Sequence, residues 1–290
     1  MQEAINKAAA LVEAQAYIRG FEDKVVVVKV GGSIMDDPEA LTSLLNDVCF
    51  MHAVGMRPIV VHGGGKGITA AMEKAGLEAQ FVQGRRYTDE RTLAIAEHVL
   101  VNDINKDMLK VIADNGYRGM GLHSLASCVV FGKRLFLEGE AGRRIDIGSV
   151  GEVTWVNGEL LAALAEADII PVIAPIARDQ AGGKLNINAD SVAGHVAAAV
   201  KAEKLVLVSD THGIRKSDDV NDLARHLDRG EIDGLIASGI ISAGMLPKVE
   251  ASLTALEGGV NKAHIIDGRI PHALLLEVYT DAGVGTEIVL

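Results

Sequence analysis

Two glycine clusters, each directly behind an apolar run, carry the strongest chemical signal in this sequence. Lys29-Val30-Gly31-Gly32-Ser33 follows Val25 to Val28, and His62-Gly63-Gly64-Gly65-Lys66-Gly67 follows Pro58 to Val61. Glycine lacks Cβ and lets backbone N–H groups come close to a ligand. Amides at a helix N-terminus also favour an anion. Two such junctions on neighbouring strands either cradle one polyphosphate or are tight βα turns, though a triple glycine exceeds what a turn requires. Lys29 stands among valines, where an unpaired ammonium is costly to bury. It either turns to solvent at the strand end or points across the glycines at a phosphate. Lys248 follows Pro247, which suits a first helical turn. A cation there opposes the helix dipole unless an anion binds alongside.

Other residues supply partners for such an anion. Asn186, Asn188 and Asp190 alternate in LNINAD. Asp190 either caps the next helix or accepts hydrogen bonds from the two lysines while the asparagines bind ligand. Arg85 and Arg86 follow Gly84 and are either solvated or clamp a carboxylate through a bidentate fork. Ser209, Asp210, Thr211, His212, Gly213 and Ile214 follow the run LVLV, and the carboxyl end of a parallel strand is where α/β proteins bind ligands. His62 and His212 are the weaker candidates for a base, and the 9 histidines show no metal spacing. The P-loop pattern fails, with Val60 and Gly67 where it requires Gly and Ser or Thr, and no G-x-G-x-x-G follows the first strand.

The elements that must position these residues alternate. Lys24–Val30, 58–62, 169–174, 204–209 and 263–266 read as buried strands. Helical stretches fall near 90–113, 158–167, 189–201 and 244–257, and Asp37-Pro38 opens another. The alternation predicts an α/β fold: a three-layer αβα sandwich around a mainly parallel sheet. Residues 118–156 read instead as hairpins projecting from the first half. Two lobes share the sheet, with a soft boundary near 175–185. Ahead of them, residues 3–19 form an extra helix with Leu11, Ala14 and Ile18 on one face.

Composition bounds the rest. The chain has 290 residues, 49% of them apolar, and a formal charge of −11. A large core is available, and nucleic acid or an anionic membrane is not a partner through general charge. Cys49 and Cys128 read as reduced thiols, and no transmembrane run or signal peptide is evident, so a cytoplasmic protein is expected.

Taken in order, KVGGS, VHGGGKG, GRRYTDE, VGEVTWVN, PVIAP, LNINAD, LVSDTHGI and AGMLPKVE make the chain resemble the N-acetyl-L-glutamate kinases of the amino acid kinase family over roughly residues 10–290. The resemblance implies the amino acid kinase fold and phosphorylation of the γ-carboxylate of N-acetyl-L-glutamate by ATP, the second step of arginine biosynthesis, with Mg²⁺ held mainly by ATP and no protein metal site. It implies that Lys29 and Lys248 stabilise the transferring phosphoryl group and that Asp190 organises them. Gly31, Gly32, Gly64 and Gly65 would supply amides. Arg86 would pair with the substrate α-carboxylate and Asn186 would hold the acetylated acid, with Gly64 and Gly65 also on the substrate. Ser209, Asp210, Thr211, Gly213 and Ile214 would line the nucleotide. Residues 1–20 would be an oligomerisation helix, 21–178 the substrate lobe and 179–290 the nucleotide lobe. The helix resembles that of the arginine-inhibited, hexameric subgroup, a trimer of dimers. There Tyr17, Lys204, His264, Gly268, Glu277 and Gly285 would line an L-arginine site, and a PII-type signalling protein is an implied partner. The family usually has GLRVTD where this chain has GRRYTD, and GLHSLASC lacks the family's Gly-Lys-Asp. A kinase of a related acid such as N-acetyl-aminoadipate, or a non-catalytic nucleotide-binding homologue, are the alternative readings.

Overall fold

The computed structural model describes residues 1–124, 127–217, 219, 222–241, 244–280 and 283–290, without the side chains at 3, 7, 10, 11, 13 and 141. Leu11 of the expected helical stripe, Leu125 and Ala126 of GLHSLASC, and Ala243 of AGMLPKVE therefore lie outside the described features.

The extra helix is α1 (Gln2–Phe21), and the valine run becomes β1 (Val25–Val30). The glycines after β1 start α2 (Gly32–Met35), and α3 (Pro38–Ala53) opens with Asp37 accepting the amides of Glu39 and Ala40. After β2 (Arg57–His62) the triple glycine enters α4 (Gly65–Lys74). A short ribbon of β3 (Phe81–Val82) and β4 (Arg85–Arg86) precedes α5 (Glu90–His98). The single helix expected over 90–113 is instead α5, a π-helical segment (Val99–Asn105) and α6 (Lys106–Asp114). Next come β5 (Arg118–Leu122), β6 (Val130–Glu138) and β7 (Arg144–Val156). The chain continues through α7 (Gly158–Glu166), β8 (Ile169–Ile173), β9 (Ile176–Arg178), β10 (Lys184–Asn186) and α8 (Ala189–Ala199). The last part holds β11 (Lys204–Ser209), β12 (His226–Leu227), α9 (Arg229–Ala237) and α10 (Leu246–Glu257). It ends with β13 (Lys262–Asp267), α11 (Ala273–Tyr279) and β14 (Thr286–Ile288).

Eight strands form one sheet in the order β12-β14-β13-β11-β1-β2-β8-β5. All neighbours are parallel except β13 and β14. Both faces are covered, which is why the strands read as unbroken apolar runs. One core lies between the sheet and α8 and α10, through Val192, Val196, Val249 and Leu256. The other lies against α3, α6 and α11, through Leu45, Met108 and Leu274. This is the expected three-layer sandwich. Helix α1 packs Tyr17, Ile18 and Phe21 onto the second core, while Ile5 and Val12 stay exposed.

Residues 118–156 hold one long hairpin, β6–β7, where several were expected. β5 is an edge strand of the main sheet, parallel to β8. Two short apolar runs of the sequence, at 128–131 and 134–137, fall largely within one bulged strand, β6, paired antiparallel with β7. Gly132 permits this, because a Cβ there would stand 2.7 Å from the Glu152 carbonyl oxygen. The stretch read as a soft boundary folds into the β9–β10 hairpin, which closes a four-stranded barrel with β6 and β7.

Candidate active site

Strand periodicity decides where Lys29 points. Side chains alternate across a strand, and Val26, Val28 and Val30 face the α3 side while Val27 faces the α8 side. Lys29 shares the Val27 face and is therefore aimed at the start of α8, away from solvent. Asn188 caps that helix, its Oδ1 accepting the amides of Asp190 and Ser191. The cap is thus Asn188, and Asp190 is free for another role in the first turn. Its Oδ1 lies 2.8 Å from Lys29 Nζ, with both groups buried. Its Oδ2 lies 3.7 Å from Lys248 Nζ, which reaches in from the first turn of α10. Burial pushes the Asp190 carboxyl up, but Lys29 and Lys248 together hold it below the ordinary carboxylate value. One carboxylate therefore anchors two ammonium groups and stays ionised.

Two cavities meet at this triad. The first, of about 500 Å³, is lined by Lys29, Gly32, Gly64, Gly65, Arg86 and Asn186, with Asp190 at its end. The second, of about 430 Å³, is lined by Ser209 through Ile214 and by Lys248. The register explains the convergence. Val30 pairs with His62 on one side and Val208 on the other, so the turns after β1, β2 and β11 open at the same sheet edge. The first cavity draws on both halves of the chain, since Asn186 and Asn188 lie beyond 178.

The glycines divide by task. Gly32 and Gly65 stand at the first turns of α2 and α4, whose amides have no intrahelical partner. Gly64 caps α4, and a Cβ there would meet Leu100 at 2.6 Å and Ile104 at 2.9 Å. Those two side chains come from the π-helical segment, whose wide turn was not legible in the sequence. Gly31 requires a correction. Its N–H donates to the Val208 carbonyl at 2.9 Å and extends the β1–β11 ladder, so it is not an amide for phosphate.

Arg86 lines the first cavity with its Nη2 donating to the Gly65 carbonyl at 2.9 Å and Thr69 Oγ1 at 2.8 Å. Asn186 Nδ2 donates to Thr88 Oγ1, which donates to the Arg86 carbonyl. Arg85 also lines this cavity.

His62 is no base. Its ring is fully buried, with Nδ1 donating to the Gly63 carbonyl at 2.8 Å and Nε2 accepting from Asn105 Nδ2 at 3.2 Å. Burial lowers it from 6.5 to about 4. Between those two values the unfolded chain binds a proton that the folded chain does not, so stability is lost as pH falls from 6.5 towards 4. The loss reaches about 3 kcal/mol for this one group. Urea unfolding across pH 4.5–7 is expected to show a steep acid limb that flattens in His62→Gln; an unchanged limb in that variant would refute the assignment.

A third cavity, of about 400 Å³, lies at the opposite ends of β11 and β13 and is lined by Tyr17, Lys204, His264, Glu277 and Gly285. His264 Nδ1 donates to Glu277 Oε1 at 2.6 Å, and Glu277 Oε2 accepts the amides of Val284 and Gly285. Gly268, expected in this group, is not there. It follows the far end of β13, where its N–H donates to the Ser209 carbonyl and a Cβ would strike Val208 and Ile34. The sequence reading also missed Arg269 and Arg215, which line the second cavity. The rule that ligands sit behind parallel strands, applied to β13 as it was to β11, points to Arg269.

Residues 24–267 match the model of the amino acid kinase family. The chain belongs to that family. It is 46% identical over 290 residues to an acetylglutamate kinase of Symbiobacterium thermophilum, covering 99% of each chain. It is 44% identical to one of Methanothrix thermoacetophila, covering 98% of this chain and 99% of the other. Among solved structures, an N-acetylglutamate synthase from Neisseria gonorrhoeae superposes with a TM-score of 0.86 at 23% identity. This chain is covered to 98% there and spans 63% of the synthase's length. A Giardia carbamate kinase superposes with a TM-score of 0.66 at 14% identity, covering 92% of this chain and 99% of the other. These superpositions show the fold, and the family makes the chain a kinase. No helix among the described residues is long and apolar enough to cross a membrane.

Proposed function

We propose that this kinase transfers the γ-phosphoryl group of MgATP to the γ-carboxylate of N-acetyl-L-glutamate. The observation that carries the reading is Asp190, which holds Lys29 on the wall of one cavity and Lys248 on the wall of the other. Phosphoryl transfer needs positioning and neutralisation of charge more than proton chemistry. The acid's carboxylate is already ionised near neutrality, so no base is required. Its oxygen attacks the γ-phosphorus, the bond to the β–γ bridging oxygen breaks, and that electron pair leaves with ADP. Arg86 offers its guanidinium to the α-carboxylate, and Asn186 offers its amide to the acetylated end. Gly32, Gly64 and Gly65 offer amides to the phosphoryl oxygens. Ser209, Asp210, Thr211, Gly213 and Ile214 hold the nucleotide. Both Asp190 oxygens face lysines, so Mg²⁺ enters on the phosphates of ATP.

An acid panel with hydroxamate trapping of the acyl phosphate tests the reading. N-acetyl-L-glutamate is expected to give the highest kcat/KM. Product from N-acetyl-aminoadipate alone would replace the substrate, and no product from any acid would favour the non-catalytic alternative.

The lobes divide as 21–178 for most of the acid site, to which Asn186 and Asn188 add from beyond the boundary, and 179–290 for the nucleotide; residues 1–20 join subunits of a homohexamer in the cytoplasm, where a PII-type protein is a candidate partner. The third cavity takes L-arginine. Supporting this are its size, its mixed charge from Lys204, Lys262, Glu277 and Glu287, and the buried His264 Nε2, which has no hydrogen-bond partner among the described residues. Activity is expected to fall on titration with L-arginine, and Lys204→Met is expected to shift the midpoint. A flat titration would exclude the effector.

A further inference from the structure

The second cavity contains an arginine that a buried carboxylate holds in a fixed geometry. Asp267 ends β13 beside Ser209, is 1% exposed, and accepts from Arg269 three times. The Arg269 backbone N–H donates at 3.0 Å, Nε at 2.9 Å and Nη2 at 2.7 Å. Asp267 Oδ2 also lies 3.1 Å from His212 Nδ1, on the loop after β11. Burial pushes the Asp267 carboxyl up, and Arg269 with His212 pulls it below its ordinary value.

A surface arginine normally samples many rotamers, and ordering it on binding costs entropy. Here the side-on pairing with a buried carboxylate settles that order in advance. The pairing uses Nε and one edge of Nη2. A guanidinium has five donors in one plane, so Nη1 remains to engage a ligand. Arg269 lines the cavity with Ser209, Thr211 and Lys248, and just over half of its side chain is exposed.

We propose that Arg269 is a nucleotide-contacting residue that binds the phosphate chain, and that Asp267 is its positioning residue. The proposal rests on the reading of the second cavity as the nucleotide site. A phosphate oxygen receives the Nη1 donors, while Asp267 keeps the guanidinium plane from rotating away. His212 braces the same carboxylate from the neighbouring loop, so the turns after β11 and β13 are tied on one anion. The chemistry selects a nucleoside di- or triphosphate over a bare nucleoside.

Calorimetric binding of ADP and of adenosine to the full chain tests this. Arg269→Gln is expected to weaken ADP about tenfold to a hundredfold, the worth of one charge-assisted contact, and to leave adenosine unchanged. Asp267→Asn is expected to weaken ADP less, and the double variant to bind no worse than Arg269→Gln alone, because Asp267 acts through Arg269. Thr211→Trp, an exposed position on the same wall, is expected to obstruct both ligands. If Thr211→Trp binds ADP and adenosine normally, the cavity is not the nucleotide site and its reading fails. If Thr211→Trp loses both but Arg269→Gln binds ADP normally, the proposal alone fails. Equal weakening of ADP and adenosine by Arg269→Gln would make the arginine a wall of the pocket and would also overturn it.

Discussion

Lys248→Ala is expected to lower kcat about 100- to 1,000-fold, with a much smaller change in KM for the acid. The ammonium stands in the first turn of α10, mostly buried, and lines the second cavity rather than the first. In the proposed reaction, negative charge on the transferring group and on the bridging oxygen changes most in the transition state. A fixed donor aimed at such charge contributes on the order of 3–4 kcal/mol. The 3.7 Å separation from Asp190 Oδ2 leaves Lys248 only loosely held by its carboxylate, against 2.8 Å for Lys29. Lys248 thus has room to follow the phosphoryl group, and its removal is expected to leave the fold nearly unchanged. Steady-state kinetics with hydroxamate trapping, beside a thermal melt, measures both. A kcat within threefold of the parent would remove Lys248 from the reaction.

Asp190→Asn is expected to damage stability as well as turnover. The asparagine matches the shape but carries no charge. Lys29, with a side chain 7% exposed, would then be a buried cation without a counter-ion. Removing one partner of a buried pair typically costs about 3–5 kcal/mol, because the other charge stays desolvated. The urea midpoint is expected to fall accordingly. Saturating MgATP is expected to raise the melting temperature of Asp190→Asn more than that of the parent, since the phosphates supply the missing anion. An unchanged urea midpoint would mean that Lys29 reaches water in the variant. The acid limb assigned to His62 is separable from this pair. Asp190 titrates below its ordinary carboxylate value, so its contribution is lost mainly at lower pH and adds little to the slope between pH 4.5 and 6.5.

Much of the sheet was legible because its strands are covered on both faces. Continuous runs such as Val25–Val30 and Leu205–Val208 have no polar alternation to confuse with another element. The short peripheral strands were not legible. β5 (RGMGL) carries two glycines and an arginine, and β14 has three residues, so their pairing is set by neighbours rather than by propensity. The π-helical segment shares its apolar pattern with an ordinary helix. Its Asn105 bonds the Val172 carbonyl and the His62 ring, partners from other elements that no local pattern reveals.

The sequence alone determined which residues can do the chemistry. Lysine beside glycine behind a valine strand, and lysine at a helix start, are local conflicts that an anion resolves, and each is readable without a fold. The tertiary structure decided how they meet. Whether Asp190 capped its helix or bridged the lysines depended on Asn188 taking the cap, and on α8 and α10 packing side by side. That Gly31 serves the sheet while Gly32 and Gly65 start helices depended on register with β11. Gly268, close in sequence to His264, lies away from it because a strand carries successive residues apart by about 3.3 Å each. The physical reason is common to all three. Residue type sets what a group can bond, but its partner comes from another element, and only packing brings the two within bonding distance.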